Sequence, residues 1–187
     1  MPTLPRFVAL CGNPRAGKSE AQKILQEAYG YEPVDDGMPL REIAVEKFGL
    51  SWEDVTTQAG KLRYTEIAGN SRQNRDILGS LGVGLEEQFG EMILPFLATR
   101  KLDPAKRYSF GSVRKVQGHY YKQFDGVVLE IVNPDAGPSP YAFDVYDKSA
   151  IDARIFNNML HHGFSPEVAR KDLANKLQFA LEALAAR

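Results

Sequence analysis

Phe7-Val8-Ala9-Leu10-Cys11-Gly12-Asn13-Pro14-Arg15-Ala16-Gly17-Lys18-Ser19, FVALCGNPRAGKS, joins an apolar run to a glycine-bounded turn and a lysine. FVALC is an apolar run without helical spacing, set between Arg6 and Gly12, and reads as a buried strand. After it, Ala21, Ile24, Leu25 and Ala28 recur at three- and four-residue steps, which predicts a helix over 17–29. The residues between, Gly12 to Ser19, fit G-x-x-x-x-G-K-[ST] at every fixed position. Gly12 and Gly17 let the backbone turn back so that several N–H groups reach a common centre. The helix that follows aims its unpaired N–H groups and partial positive charge at the same place. Lys18 adds a full charge able to follow terminal phosphates, and the Ser19 hydroxyl is a hard oxygen suited to Mg²⁺. The four fixed positions coincide by chance in under about one percent of chains this long. Cys11, at the strand end, reads as a small buried hydrophobe.

Working outward, YEPVDDG at 31–37 reads as a second strand ending in a turn at Asp36-Gly37. PLREIAVEKF suggests a helix over 39–48 with Pro39 near its first turn. Ser51 is placed as an N-cap with Asp54 in the capping-box position. Helical patterning over 72–98 is expected to break near Gly79, Gly82 and Gly84 and again at Pro95. Tyr108–Val113 and Val127–Val132 read as strands, 134–148 as a loop, and 166–186 as an amphipathic helix. Strands alternating with helices imply an α/β chain whose parallel sheet is covered on both faces.

The 187 residues suit a single domain over 1–187, and 43% hydrophobic with 25% charged residues gives a packed core. The 23 basic and 24 acidic residues nearly cancel, so a nucleic-acid binder held by bulk charge is not expected. One cysteine excludes an internal disulfide framework and a Cys-rich zinc site. The apolar runs fall short of the roughly 20 residues of a membrane helix, and the N-terminus lacks a signal-peptide pattern. A soluble, reduced, cytoplasmic protein is expected.

Further candidates lie elsewhere. Thr99–Gln123 holds seven basic residues and only Asp103 against them, the pattern of a solvated cationic face. Arg114 stands apart because it follows the strand YSFGSV, and ligands of open parallel sheets bind beyond the carboxyl ends of strands. An arginine there can neutralise charge on a transferring phosphoryl group. Arg72 and Arg75, three apart on an expected helix, can share a face and suit a monophosphate, with ordinary surface charge the equal alternative by pattern alone. Asp35 and Asp36 end the second strand and could serve a sugar hydroxyl, a base or a metal-bound water, D-D-G being equally good turn chemistry. No apolar run closed by Asp or Glu is evident as a Walker B strand, and Ser112 occupies the expected place. The guanine signature N-K-x-D is absent. His119, His161 and His162 lack ligand-like spacing, so no zinc is expected.

Four segments resemble the bacteriophage deoxynucleoside monophosphate kinases: GNPRAGKSE at 12–20, MPLREIAVEKFGLSWEDV at 38–55, RDILGSLG at 75–82, and SVRKVQG with FDGVVLEIVNP. The likeness runs to about residue 134 and weakens beyond. It implies a three-layer P-loop kinase fold, a central mainly parallel sheet flanked by helices, with a small lid or acceptor-binding insertion. It implies ATP and Mg²⁺ held by Gly12, Asn13, Arg15, Ala16, Gly17, Lys18, Ser19 and Glu20, with Ser19 on the metal. Arg75 would contact the acceptor phosphate, with Arg41, Arg72 and Asp36 beside it, and Arg114 would stand near the transferred group. Departures are Ser112 for an acid, Gln117-Gly118 for Asn-Glu, Met38 for Asp and Gly79 for Gln. The expected activity is phosphoryl transfer from ATP to a nucleoside monophosphate, in host cytoplasm if phage-encoded, by a chain related to some homodimers. The expected partner is the small substrate, with no membrane and no nucleic acid. Two alternatives keep the loop: a kinase acting on a polynucleotide 5′ end or a small metabolite such as a coenzyme A precursor, and a non-catalytic ATP-binding module.

Overall fold

The computed structural model describes residues 4–139 and 144–186. In chain order the elements are β1 (Phe7–Cys11), α1 (Lys18–Tyr29), β2 (Glu32–Val34), α2 (Met38–Phe48), α3 (Trp52–Thr56), α4 (Gln58–Leu62), β3 (Tyr64–Ile67), β4 (Asn70–Gln73), α5 (Asn74–Phe89), α6 (Ile93–Thr99), β5 (Tyr108–Phe110), α7 (Gln117–Lys122), β6 (Val127–Val132), β7 (Ala153–Phe156) and α8 (Pro166–Ala185). They fall into two compact units, Met1–Asp35 with Lys101–Arg187, and Asp36–Arg100.

The first unit is built on a five-stranded sheet in the order β2-β5-β1-β6-β7. Every pairing is parallel, with Phe7 opposite Tyr108 and Val8 opposite Val127. Alternation along β1 sends its residues to two cores. Val8 and Leu10 pack with Leu129, Ile131 and Ile155 under α1 (Ile24, Leu25) and α8 (Leu173, Leu177, Leu181). Phe7, Ala9 and Cys11 pack with Tyr108, Phe110, Val113 and Tyr121, the last from α7. This is the three-layer α/β arrangement expected of alternating strands and helices. Phe110 and Tyr121 pack at 4.2 Å between ring centroids, so the aromatic side chains here fill the core. α1 stops at Gly30, whose φ of 68° lets its N–H return to the carbonyls of Leu25 and Gln26. α8 starts at Ser165, which accepts from the Val168 N–H, with Pro166 in its first turn.

The expected strand over 108–113 is shorter, ending at Phe110. The chain bends at Gly111, where a Cβ would run into the Gln22 side-chain amide, whose Nε2 donates to the Ser109 carbonyl at 3.0 Å. β7 was not anticipated. Only Ile155 of its four residues is buried, so an apolar run never forms.

In the second unit, β3 and β4 form an antiparallel hairpin with Ile67 paired to Asn70. Its two-residue turn, Ala68-Gly69, has φ of 51° and 78°, the type I′ geometry that matches strand twist. The expectation of a helix from residue 72 is therefore corrected: Arg72 lies on β4 and the helix begins at Asn74. YTEI and NSRQ carry too few apolar residues for period-two patterning to appear. The expected break near Gly79, Gly82 and Gly84 does not occur, since α5 runs unbroken to Phe89. Packing of Ile77 with Ala44, Leu50 and Val55 outweighs the weak propensity of glycine. Nor does Pro95 break a helix. It sits in the first turn of α6, where its missing N–H has no intrahelical acceptor to lose. The capping box at Ser51 and Asp54 is formed, with both reciprocal bonds present.

Candidate phosphate-binding site

β1, α1 and the turn between them build the site. The sheet order changes direction at β1: the chain passes from β1 to the far side of β5, returns, and crosses to β6. Crevices beyond the carboxyl ends of strands at such a switch point are where open α/β sheets take ligands. Gly12–Gly17 fills that place. Three residues in it have positive φ, Gly12 (136°), Arg15 (66°) and Gly17 (105°). Glycine is required at two of them: a Cβ at Gly12 would meet the Ile131 carbonyl, and one at Gly17 the Asn157 amide. Arg15 holds a conformation that L-residues adopt at a cost of about 1–3 kcal/mol, and such residues cluster at ligand sites.

Side chains brace the loop from both flanks. Asn13 Nδ2 donates to the Ala136 carbonyl at 3.0 Å, and Asn157 Nδ2 to the Ala16 carbonyl at 2.9 Å. The Ala16 N–H closes a turn on the Asn13 carbonyl at 3.1 Å. Lys18, the first residue of α1, folds back across the loop, its Nζ donating to Gly12 O at 2.7 Å and Asn13 O at 2.9 Å. α1 has no side-chain cap, and its first intrahelical bond is from Ala21 to Gly17 O at 3.0 Å. The first-turn N–H groups of a helix without a cap are an anion site in waiting. Ser19 is exposed while Ala16 is buried. Glu20 is engaged elsewhere, accepting from Arg170 Nε at 2.6 Å. Burial, then the nearby Glu130, pushes the Cys11 thiol up to about 12, which leaves it an inert core group.

A buried acid does occur on a neighbouring strand. Glu130 of β6 pairs in register with Cys11, and its side chain is 8% exposed. Both its oxygens are occupied, by Tyr146 OH at 2.7 Å and Arg154 Nε at 2.6 Å. Sequence reasoning missed it, although one acid inside VVLEIV was the visible signal. Asn157 and Asp144 were missed too, and no pattern in the sequence marks them. Arg114 follows β5 and pairs with Asp144, Nε to Oδ1, at 2.8 Å.

The remaining candidates belong to the second unit. Arg72 and Arg75 do not share a helix face as expected, because they sit on different elements. Arg72 donates from β4 to Ser80 Oγ at 3.1 Å, and Arg75 from α5 to Gln58 Oε1 at 2.9 Å. Arg72 and Ser80 rim a cavity of about 690 Å³ whose apolar wall includes Phe48, Ile67 and Leu81. Arg41 lies half-buried on α2, and Asp36 is buried in the turn that Gly37 carries into that helix. Among the described residues no cluster of His, Cys, Asp and Glu could hold a metal ion by itself, and no helix is long and apolar enough to cross a membrane.

The fold and the loop together define an α/β protein with a Walker A-type turn on its central strand. No protein-family model and no curated protein matches the chain. Among solved structures, it is similar to a shikimate kinase from Aquifex aeolicus at 13% identity, over 95% of this chain and 96% of that one, with a TM-score of 0.46. It is also similar to a gluconokinase from Sinorhizobium meliloti 1021, at 10% identity over 97% and 96%, TM-score 0.44. A dephospho-CoA kinase from Campylobacter jejuni stands at 12% identity over 95% and 98%, TM-score 0.44. The substrates in those names are those proteins' own.

Proposed function

We propose that the chain is an ATP-dependent kinase that transfers a phosphoryl group to a nucleoside or deoxynucleoside monophosphate. The observation carrying the reading is the Gly12–Ser19 turn: three positive-φ residues, an uncapped helix start, and Lys18 laid across the loop carbonyls. Mg²⁺ fits that donor set through the exposed Ser19 hydroxyl and would screen charge between the phosphates. The loop amides and Lys18 grip the β- and γ-phosphates of the donor. Arg75, with Arg72 and Arg41, holds the acceptor phosphate, and Arg114 neutralises charge that develops during transfer. Such a reaction asks for alignment, charge screening and exclusion of water more than for covalent help from the protein.

The resemblance to phage deoxynucleoside monophosphate kinases supports the acceptor class. Charge pairing weighs against a polynucleotide acceptor. Of the basic stretch, Lys106 is neutralised by Glu32, Arg114 by Asp144 and Lys122 by Asp152. Three of the seven basic residues are thus paired with acids, which lessens the charge available to follow a phosphate backbone. The deciding experiment offers all eight common ribo- and deoxyribonucleoside monophosphates with ATP and Mg²⁺ and measures ADP, using Lys18→Ala as the blank. ADP release with one or a few of them, absent in the blank, is expected. Full ADP formation by Lys18→Ala eliminates the site, and ATP binding without transfer to any acceptor favours a non-catalytic module.

A further inference from the structure

Arg114 is held more elaborately than a surface arginine needs to be. Its Nε donates to Asp144 Oδ1 at 2.8 Å, and Asp144 Oδ2 accepts from Ser139 Oγ at 2.6 Å, so both carboxylate oxygens are committed. Its own N–H donates to Oε1 of the buried Gln117 at 3.1 Å. The segment bearing Asp144 is clamped onto the residues beside Arg114. Lys115 N–H donates to Val145 O at 2.5 Å, and Asp147 N–H to Lys115 O at 2.7 Å, forming a bridge between Lys115 and Tyr146. Lys115 takes a φ of 45° to make it, a strained value for a non-glycine residue. Two further bonds pin the same segment: Tyr146 OH to Glu130 at 2.7 Å and His119 to Asp147 at 2.9 Å. Asp144, Tyr146 and Ser139 line a cavity of about 440 Å³ together with Asn13 of the glycine loop.

An isolated surface ion pair contributes about 0–1 kcal/mol, which does not account for a carboxylate only 19% exposed, a strained residue and four supporting bonds. What the arrangement does accomplish is to fix a long side chain that otherwise retains about 2 kcal/mol of rotamer entropy. We propose that Asp144 is the positioning residue of Arg114: it fixes one edge of the guanidinium so that Arg114 is already ordered when phosphate arrives. This rests on the kinase reading above for what Arg114 then does. A charge placed in advance stabilises a transition state without reorganisation at the moment of reaction, whereas a mobile one does not.

The test compares wild type, Asp144→Asn, Asp144→Glu, Arg114→Ala and the Asp144→Asn/Arg114→Ala double variant, all checked for folding by circular dichroism. Asp144→Asn is expected to lower kcat about 10–100-fold while KM for ATP moves less than about threefold, and Asp144→Glu to recover part of the loss. The double variant should be no slower than Arg114→Ala alone, because Asp144 acts through Arg114. An unchanged kcat, or losses that multiply in the double variant, overturns the proposal. A second arm records the Arg114 ¹⁵Nε–¹Hε NMR signal, which should lose its protection from exchange in Asp144→Asn. A wild type that phosphorylates no acceptor defeats the kinase reading alone. The NMR arm then decides the role of Asp144, and an unaltered Arg114 signal overturns it.

Discussion

Arg75 and Arg72 show how a residue's role depends on the element that carries it. Arg75, in the first turn of α5, donates to the neutral Gln58 amide at 2.9 Å. A phosphate makes charge-assisted, bidentate bonds that such an amide cannot match. Arg75→Ala is therefore expected to raise KM for the monophosphate about tenfold or more, with KM for ATP nearly unchanged, in steady-state assays varying each substrate in turn. Equal effects on both would remove Arg75 from the acceptor site. Asp147 offers a residue-scale test of the clamp beside Arg114. The hydrogen bond from His119, reinforced by the Ser149 N–H, pulls its carboxyl down from 3.8 to about 2. A carboxyl depressed on folding stabilises the protein above its unfolded value and loses that contribution as pH falls through the folded one. The Tm difference between wild type and Asp147→Asn should thus be clear near about pH 5 and shrink as pH falls from about 4 to 2. A difference that grows over that window would contradict the assignment.

At the scale of the element, α5 is the informative case. It contains Gly79, Gly82 and Gly84, and residue propensity alone divides it. Its continuity comes from Ile77 in the core of the second unit, a tertiary contact that no local window contains. Nothing lies within 4 Å of where a Cβ at Gly84 would stand, and its φ is not positive. Gly84→Ala is expected to stabilise the protein by about 0.5–1 kcal/mol, read from the urea midpoint at constant slope. A loss of stability would mean that the glycine serves a contact absent from this conformation. β1 and its turn are the opposite case. FVALC is buried on both faces, so its apolar run is unbroken, and the turn after it needs two glycines for steric reasons. Both demands are written in consecutive residues, which is why that element was legible. The β3–β4 hairpin and β7 were not, because exposed strands need no apolar alternation and their pairing partners are distant in the chain or polar.

For the molecule as a whole, the layered α/β architecture followed from strand and helix alternation, and the order of strands did not. Nothing local specifies that β5 inserts between β1 and β2, or that Glu130 comes to lie beside Cys11. The candidate site divides in the same way. Its glycine loop is contiguous in sequence, whereas the braces from Ala136 and Asn157 and the Asp144 partner of Arg114 come from residues far along the chain. Such contacts become visible only once the sheet has assembled. Calorimetric titration of ATP with Mg²⁺ asks whether the Gly12–Ser19 turn grips a triphosphate. Wild type should bind at one saturable site, and a folded Lys18→Ala should bind at least about tenfold more weakly. No heat with wild type, or equal affinity in the two proteins, would rule out a triphosphate grip at this turn.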